Sequence, residues 1–567
     1  MVKLLVSSPG SGQGKTVLAC ALLWALERRG LRPCAFKCGP DYIDPQFHRA
    51  VPGVESRNLD LFLTDGDRVR GGLPGECGDD SRGCRKSGTL SGGSYASGGS
   101  VRGDSPGGDS VRGDSPGTEC DASRLPALFR AWSAGHGAAV CEGAMGLYDG
   151  LGGISDRTSA WDIARTLDLP VLLSIRAEGA ALTLAALLRG LRTFRPGVRF
   201  AGTVLNRCSP SLCRAIAPTL EREAGIPVLG CLPPMDEAAF PARHLGLVTA
   251  REVAGLQTRL RALGEALEAH TDLDRLLSLC GGGTPNVPGT EAVSRSVRGS
   301  THQTESISCP GTVSGSARTV PAVIHAAPGT RRNPVRIAVA RDRAFCFLYP
   351  ETLEALAERG AEFSFFSPLR DSALPSGTAG LYLPGGYPEL YGPELSANAA
   401  MRRAVAEAVR DGLPTVAEGG GFLYLSAGLR DASGVRYPMA GVLPGEGVPA
   451  GGLVRFGYAF ACPDTDSLLF RRGERIPVHA FHHWDGTSNG TGFRLEKPFP
   501  SRRAWQEGYG TETLYAGFPQ LYFAGSPQLA ARFTAAAARY ADKALRGGGA
   551  SALRGDANKN VKLPNTF

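Results

Sequence analysis

Ser7-Ser-Pro-Gly-Ser-Gly-Gln-Gly-Lys-Thr16 is the stretch on which the fold turns. Ahead of it, Val2–Ser8 is a short apolar run with β character. Behind it, Lys15–Arg29 places Val17, Leu18, Ala21, Leu22 and Leu26 on one side of an expected helix. A strand that breaks into a glycine-rich turn and then a helix aims backbone N–H groups and a helix N-terminus at one point, which is what a phosphate needs. Gly10, Gly12 and Gly14 let the chain approach that phosphate, with Gln13 between them. Lys15 is placed to reach β- and γ-phosphates, and the Thr16 hydroxyl to ligate Mg²⁺. The common spacing G-x-x-x-x-G-K-[ST] is missed at its first glycine, where Pro9 stands. The strand–loop–helix context carries the nucleotide-binding reading nonetheless.

Working outward, further strands are expected at Pro33–Cys38, Ala138–Glu142, Val171–Ile175, Phe200–Asn206 and Val228–Leu232, with helical patterns between several of them. Such alternation predicts a doubly wound, mainly parallel sheet covered on both faces, an α/β domain over residues 1–275. A second α/β series starts at Val335–Ala340 and runs through Glu362–Phe366, Gly380–Leu383 and Pro414–Ala417. It ends in an amphipathic helix near Pro527–Arg546, giving a second domain over 334–546.

Two stretches offer too little apolar surface to offset the entropy of ordering. Residues from about 71 to 119 are dense in Gly, Ser, Asp and Arg and hold a tandem decapeptide, Gly98–Gly107 followed by Gly108–Gly117. They are read as a disordered insertion, and their two Arg-Gly-Asp triplets as composition rather than adhesion ligands. Residues 281–333 read as a linker and 547–567 as a frayed tail.

Across 567 residues the net charge is +8, but the basic residues are spread through Gly/Ser stretches rather than gathered in one patch, so no nucleic-acid partner is expected. No apolar run approaches the ~20 residues of a membrane span, and the N-terminus is too short and too quickly glycine-rich for a signal peptide. The 14 cysteines show no CxxC pair or metal spacing. Reduced thiols in the cytoplasm are the expectation.

Three acidic residues stand at carboxyl ends of expected parallel strands, where open α/β sheets bind ligands: Asp41 and Asp44 in Phe36-Lys-Cys-Gly-Pro-Asp-Tyr-Ile-Asp-Pro-Gln-Phe-His48, and Glu142 in Cys141-Glu-Gly-Ala-Met-Gly-Leu-Tyr-Asp-Gly150. Hard oxygen ligands there suit Mg²⁺ bridging ATP phosphates, with Thr16, Asp41 and Glu142 as the candidate set. Each acid alone would equally serve as a helix cap or a surface charge. With Ser56-Arg-Asn-Leu-Asp60, Val204-Leu-Asn-Arg207 and Pro241-Ala-Arg-His-Leu-Gly-Leu247, these segments resemble the synthetase half of the cobyrinate a,c-diamide synthases, within the dethiobiotin-synthetase-like group of phosphate-loop enzymes. The resemblance spans nearly the whole chain apart from the insertion, linker and tail. It implies ATP-dependent amidation of ring carboxylates through an acyl phosphate, with Lys15, Lys37, Asp41 and Asp44 as catalytic candidates. It also implies Asn206 as a nucleotide-base contact.

The second domain resembles the family's glutamine amidotransferase domain through Arg336–Phe345, Phe366–Asp371 and Leu383–Tyr391. The family writes its thiol nucleophile as Ala-Glu-Cys-Gly-Gly on a strand-to-helix elbow and its base in Tyr-x-His-x-His-Phe. This chain has Ala417-Glu-Gly-Gly-Gly421 and Phe518-Pro-Gln-Leu-Tyr-Phe523, so Gly419 and Gln520 stand at those positions. No cysteine lies between Cys346 and Cys462, and no histidine follows His483. An inactive glutaminase, with nitrogen taken from ammonia rather than glutamine, is the expectation.

By resemblance the partners are a corrinoid or related tetrapyrrole and either ammonia or glutamine, and a homodimer is compatible with the family. Hydrogenobyrinate and nickel-sirohydrochlorin stand as alternative substrates, and a non-catalytic nucleotide-binding regulator as an alternative class.

Overall fold

The computed structural model describes residues 1–66, 123–243, 246–281, 334–498, 501 and 503–546. The expected insertion and tail, and the expected linker apart from Gly281, lie outside the described residues.

The first α/β unit is a seven-stranded sheet of β1 (Val2–Ser7), β2 (Pro33–Cys38), β3 (Glu55–Leu59), β4 (Ala138–Glu142), β5 (Val171–Arg176), β6 (Phe200–Asn206) and β7 (Val228–Leu232). Its order is β3-β2-β4-β1-β5-β6-β7, with every neighbouring pair parallel. Helices on both faces bury the strands, which is why β1, β2, β4 and β5 read as near-continuous apolar runs. Helix α1 (Lys15–Arg28) is packed so tightly that every residue from Leu18 to Leu26 is buried. The chain leaves β1 toward β2 but leaves β4 for β5 on the other side of β1. The loops after β1 and β4 therefore diverge at this switch point and leave a crevice at the carboxyl edge.

The second unit is built on a six-stranded sheet, in order Ala361–Phe366, Val335–Ala340, Gly380–Leu383, Thr415–Glu418, Leu514–Gly517 and Tyr509–Gly510. All pairs are parallel except the last. Between Gly428 and Leu521 the chain also builds a four-stranded and a five-stranded sheet rich in antiparallel pairs. The helix Pro527–Arg546 buries Leu529, Ala530, Phe533, Ala536 and Ala537 on one side, the spacing expected of a covering helix.

One hydrophobic cluster runs through both units. Tyr42 of the first stacks on Phe347 and Tyr349 of the second, with ring centroids 5.1 and 4.2 Å apart. β3 faces the second unit with polar groups. The Asn58 N–H donates to Glu351 Oε1 at 2.7 Å, the Tyr522 hydroxyl donates to the Asn58 carbonyl at 2.8 Å, and the Arg57 guanidinium grips Glu354. Among the described residues no helix is long and apolar enough to cross a membrane.

Candidate functional site

The loop after β1 is fixed before any ligand arrives. Gly14 caps α1 in the left-handed region (φ 86°), and a Cβ there would sit 2.0 Å from Asn206 Nδ2, so no other residue fits. The Gln13 carbonyl accepts from Ser174 Oγ at 2.8 Å and from Asn206 Nδ2 at 3.1 Å, and Gln13 Oε1 accepts from the Arg176 N–H. Asn206 thus braces the loop from the end of β6. Over Gly10 and Gly12 the space is open to 4 Å from where a Cβ would stand.

The Lys15 ammonium is buried and donates to Ser8 Oγ (3.0 Å), the Gly10 carbonyl (3.0 Å) and the Met145 carbonyl (2.5 Å). Met145 belongs to the loop after β4 and adopts φ 48°, a left-handed backbone that aims its carbonyl into the crevice. Burial first, and then the nearby Lys37 charge, lower the Lys15 pKa from 10.5 to about 8. One residue on, Thr16 Oγ1 donates to Glu142 Oε1 at 2.7 Å.

Glu142, at the end of β4, is the hub. It is fully buried, and Lys37 Nζ donates to its Oε1 at 2.8 Å while His48 Nε2 meets its Oε2 at 2.6 Å. Burial alone would raise its pKa, but the Lys37 charge and the His48 hydrogen bond more than offset this and hold the carboxyl well below the usual range. Lys37 also pairs with Asp44 at 2.6 Å. Burial opposes its charge, yet Asp44, Glu142 and Asp41 together keep its pKa well above the ordinary lysine value. Asp41 is close enough to add to that field, but its Oδ1 accepts from the Ile43 and Asp44 N–H groups at 2.7 and 3.1 Å, in the turn that leads into helix α2 (Asp44–Ala50).

Thr16, Lys37, Asp44 and Glu142, anticipated from the sequence, therefore form one hydrogen-bonded cluster, and Lys15, also anticipated, lies close enough for the charges of Lys37, Glu142 and Asp44 to act on it. His48 was not anticipated. Its Nδ1 meets Ser56 Oγ at 3.0 Å, which orients the ring toward Glu142. Its spacing of four from Asp44 on one helix face was the available signal.

An ammonium, a hydroxyl and a buried carboxylate suit phosphate oxygens and a hard divalent cation. Among the described residues no three His, Cys, Asp or Glu side chains converge as a metal cage.

In the second unit Gly419 stands between the strand Thr415–Glu418 and the helix Gly420–Leu425, at φ 49° and ψ −106°. This is the sharp elbow anticipated from the sequence. A Cβ there would lie 3.8 Å from Gly385 Cα and 3.9 Å from Gln520 Nε2. Gln520 is buried opposite His479 in the adjacent strand pair, and the two side chains interact. Burial pulls the His479 pKa down to about 3, so its ring is neutral. Behind the elbow, Glu418 accepts from the Leu521 N–H and the Tyr382 hydroxyl, both at 3.0 Å, and burial raises its pKa to about 8.

Residues 4–248 match the CobQ/CobB/MinD/ParA nucleotide binding domain, and residues 336–458 match the CobB/CobQ-like glutamine amidotransferase domain. The chain is 31% identical over 527 residues to a cobyrinate a,c-diamide synthase of Listeria monocytogenes, covering 92% of this chain and 96% of that one. It is 33% identical over 538 residues to a hydrogenobyrinate a,c-diamide synthase of Thermobifida fusca, covering 94% and 96%. A cobyrinate a,c-diamide synthase of a Synechococcus species is 32% identical over 532 residues, covering 94% and 97%.

Proposed function

This chain belongs to the cobyrinate a,c-diamide synthase family, and on that footing we propose that it amidates the a and c side-chain carboxylates of cobyrinate, using ATP and free ammonia. The observation that carries the reading is the hydrogen-bonded cluster of Thr16, Lys37, Asp44 and Glu142 in the crevice between β1 and β4, with the Lys15 ammonium held beside it by the Met145 carbonyl. Relatives named for cobyrinate and for hydrogenobyrinate match to similar extents, 31% and 33%, which makes hydrogenobyrinate the alternative ring.

A carboxylate does not acylate ammonia unaided, because hydroxide is a poor leaving group. A carboxylate oxygen of the ring attacks the γ-phosphorus of ATP and the bond to ADP breaks. The resulting acyl phosphate is attacked by ammonia, which expels phosphate and sheds a proton. Lys15 and Lys37 stabilise the negative charge that spreads over the transferring phosphoryl group. Gly10, Gly12, Gln13 and Gly14 surround the phosphates, and Asn206 keeps Gln13 in place. Thr16 and Glu142 would hold Mg²⁺, with Asp41 contributing through Oδ2, the oxygen not taken by the Ile43 and Asp44 N–H groups. Bound there, the ion would offset part of the negative charge of the phosphates. Asp44 and Asp41 keep Lys37 charged beside the reacting groups.

Ammonia rather than glutamine is supported by the elbow. Gly419 brings no thiol and Gln520 brings no base, so a glutamyl thioester has nothing to form on.

The test is ADP release measured with and without added cobyrinate. Release that requires the ring supports the synthetase reading. ADP formation indifferent to cobyrinate and hydrogenobyrinate alike would overturn it in favour of a nucleotide-binding regulator.

A further inference from the structure

The strands Gly457–Cys462 and Ile476–Ala480 pair antiparallel, with Tyr458 opposite His479. Side chains alternate across a strand, so Phe456, Tyr458 and Phe460 fall on one face together with His479 and Phe481. On that face the rings form a ladder. Phe460 and Tyr458 pack on Phe62 of the first unit, with centroids 4.8 and 4.6 Å apart, and the Tyr458 hydroxyl donates to Asp60 Oδ2 at 2.6 Å. Tyr458 and Phe456 both meet the His479 ring edge-on, at 5.3 and 6.0 Å, and Phe456 meets Phe481 at 5.2 Å. Phe460 is buried, Tyr458 and Phe481 are half-buried, and Phe456 is 48% exposed. The ladder rises from the seam between the two units to the surface.

It surfaces beside the synthetase crevice. The Tyr458 hydroxyl lies 3.9 Å from where a Cβ on Gly39 would stand, and Gly39 leads through Pro40 to Asp41. Phe456 is presented by a residue in the left-handed region, Arg455 at φ 46°, whose guanidinium is pinned by Asp485 and by Glu507 at 3.0 Å. A residue other than glycine stays in that region only where its surroundings enforce it. The Lys497 ammonium donates to the Arg455 carbonyl at 3.0 Å and to the Phe456 carbonyl, and among the described residues it pairs with no carboxylate.

We propose that Phe456 and Phe481 form the platform on which the apolar face of the tetrapyrrole substrate stacks, with Lys497 meeting one of the carboxylates at its rim. This rests on the synthetase reading above and gives the ring a place from which its other carboxylates extend toward Lys37 and Asp44. A macrocycle with an apolar face and an anionic edge matches both features, the exposed rings and the cation beside them. A lone exposed Phe is ordinary on any surface. Here two rings and an uncommitted ammonium are gathered where the two units meet, next to the segment that carries Asp41 and Asp44, and a strained residue holds one of the rings outward.

The experiment measures steady-state amidation of cobyrinate by the full chain with ammonium chloride, taking KM for the ring and KM for ATP separately. Phe456→Ser should raise the ring KM by about 10-fold and leave both the ATP KM and kcat at saturating ring unchanged. Phe456→Tyr should restore the ring KM. Lys497→Gln should raise it as well, by a margin that shrinks as salt is added. A ring KM unmoved by Phe456→Ser would overturn the proposal. A lower sedimentation mass with that KM unmoved would overturn it in favour of a contact between copies of the chain. An ATP KM that rises in step with the ring KM would also overturn it, since a structural defect moves both. Absence of any ring-dependent product from the unmodified chain would instead remove the synthetase reading and the platform with it, and it would show before any residue is changed.

Discussion

Lys15 shares its charge among three oxygen acceptors while burial and Lys37 hold its pKa near 8, so the ammonium is ready to transfer to phosphate oxygens but titrates within reach of physiological pH. Lys15→Ala should lower ATP-dependent amidation by about 100-fold or more and leave the melting temperature unchanged. In the unmodified chain, nucleotide affinity should fall as pH rises through about 8, since the protonated form binds. Equilibrium binding of an ATP analogue across pH checks the sign. His48 acts through Glu142, and an orienting partner of this kind is worth about 10–100-fold in metal affinity. His48→Ala should therefore raise the Mg²⁺ concentration needed for half-maximal turnover, and His48→Gln should recover part of the loss. A purely structural role would move melting temperature without moving the Mg²⁺ dependence. Glu418 gives the opposite electrostatic case. Its folded pKa of about 8 lies above the ordinary 4.5, so the folded state keeps a proton that the unfolded chain has lost between those values. Stability must fall as pH rises through that window. Glu418→Gln keeps an acceptor for the Leu521 N–H, and the Tyr382 hydroxyl, which donates to Glu418, can turn to accept from the amide instead. The variant should match the parent in thermal melts near pH 4.5 and exceed it at pH 9 and above. Of the site, Lys15, Thr16, Glu142, Lys37 and Asp44 were legible because strand ends and a glycine loop place them by rule. Asp41 and Asn206 were legible as members, but the turn and the brace they hold depend on backbone groups that no sequence pattern displays.

Strands β1, β2 and β4 to β7 appear where the apolar runs put them, because a parallel strand buried on both faces must be apolar nearly throughout. β3 escaped as a strand. Glu55-Ser-Arg-Asn-Leu59 offers neither an apolar run nor clean alternation, and several of its polar groups are satisfied by the other unit, through Glu351, Glu354 and Tyr522. The strands between Gly428 and Leu521 are short and interrupted by glycines, so their pairing was equally hidden. The segment between β2 and α2 links both units, since Tyr42 sits in the inter-unit aromatic stack while Asp41 and Asp44 face Lys37. Tyr42→Ala should cost about 3–5 kcal/mol of stability, and it should also reduce amidation by releasing the loop. Calorimetry read beside turnover checks this, and full activity in a destabilised variant would uncouple the stack from the site.

At the scale of the molecule, a synthetase crevice is fused through a shared core to a unit whose elbow ends in glycine. Retained charge at the first site and a missing thiol at the second make nitrogen supply the central claim. A Cβ at Gly419 meets nothing closer than 3.8 Å, although at φ 49° a side chain strains the backbone, so Gly419→Cys together with Gln520→His should cost stability and yet raise glutamine use. Gly419→Cys alone should not raise it, because an unpaired thiol with a pKa near ~8.5 is mostly protonated at neutral pH. The most direct measurement is mass spectrometry of the product formed by the unmodified chain from cobyrinate, ATP and Mg²⁺, with either ammonium chloride or glutamine as nitrogen source and glutamate release followed separately. The expected result is ATP-dependent diamide with ammonium and negligible diamide or glutamate with glutamine. Efficient, ATP-coupled glutamate release would contradict the account.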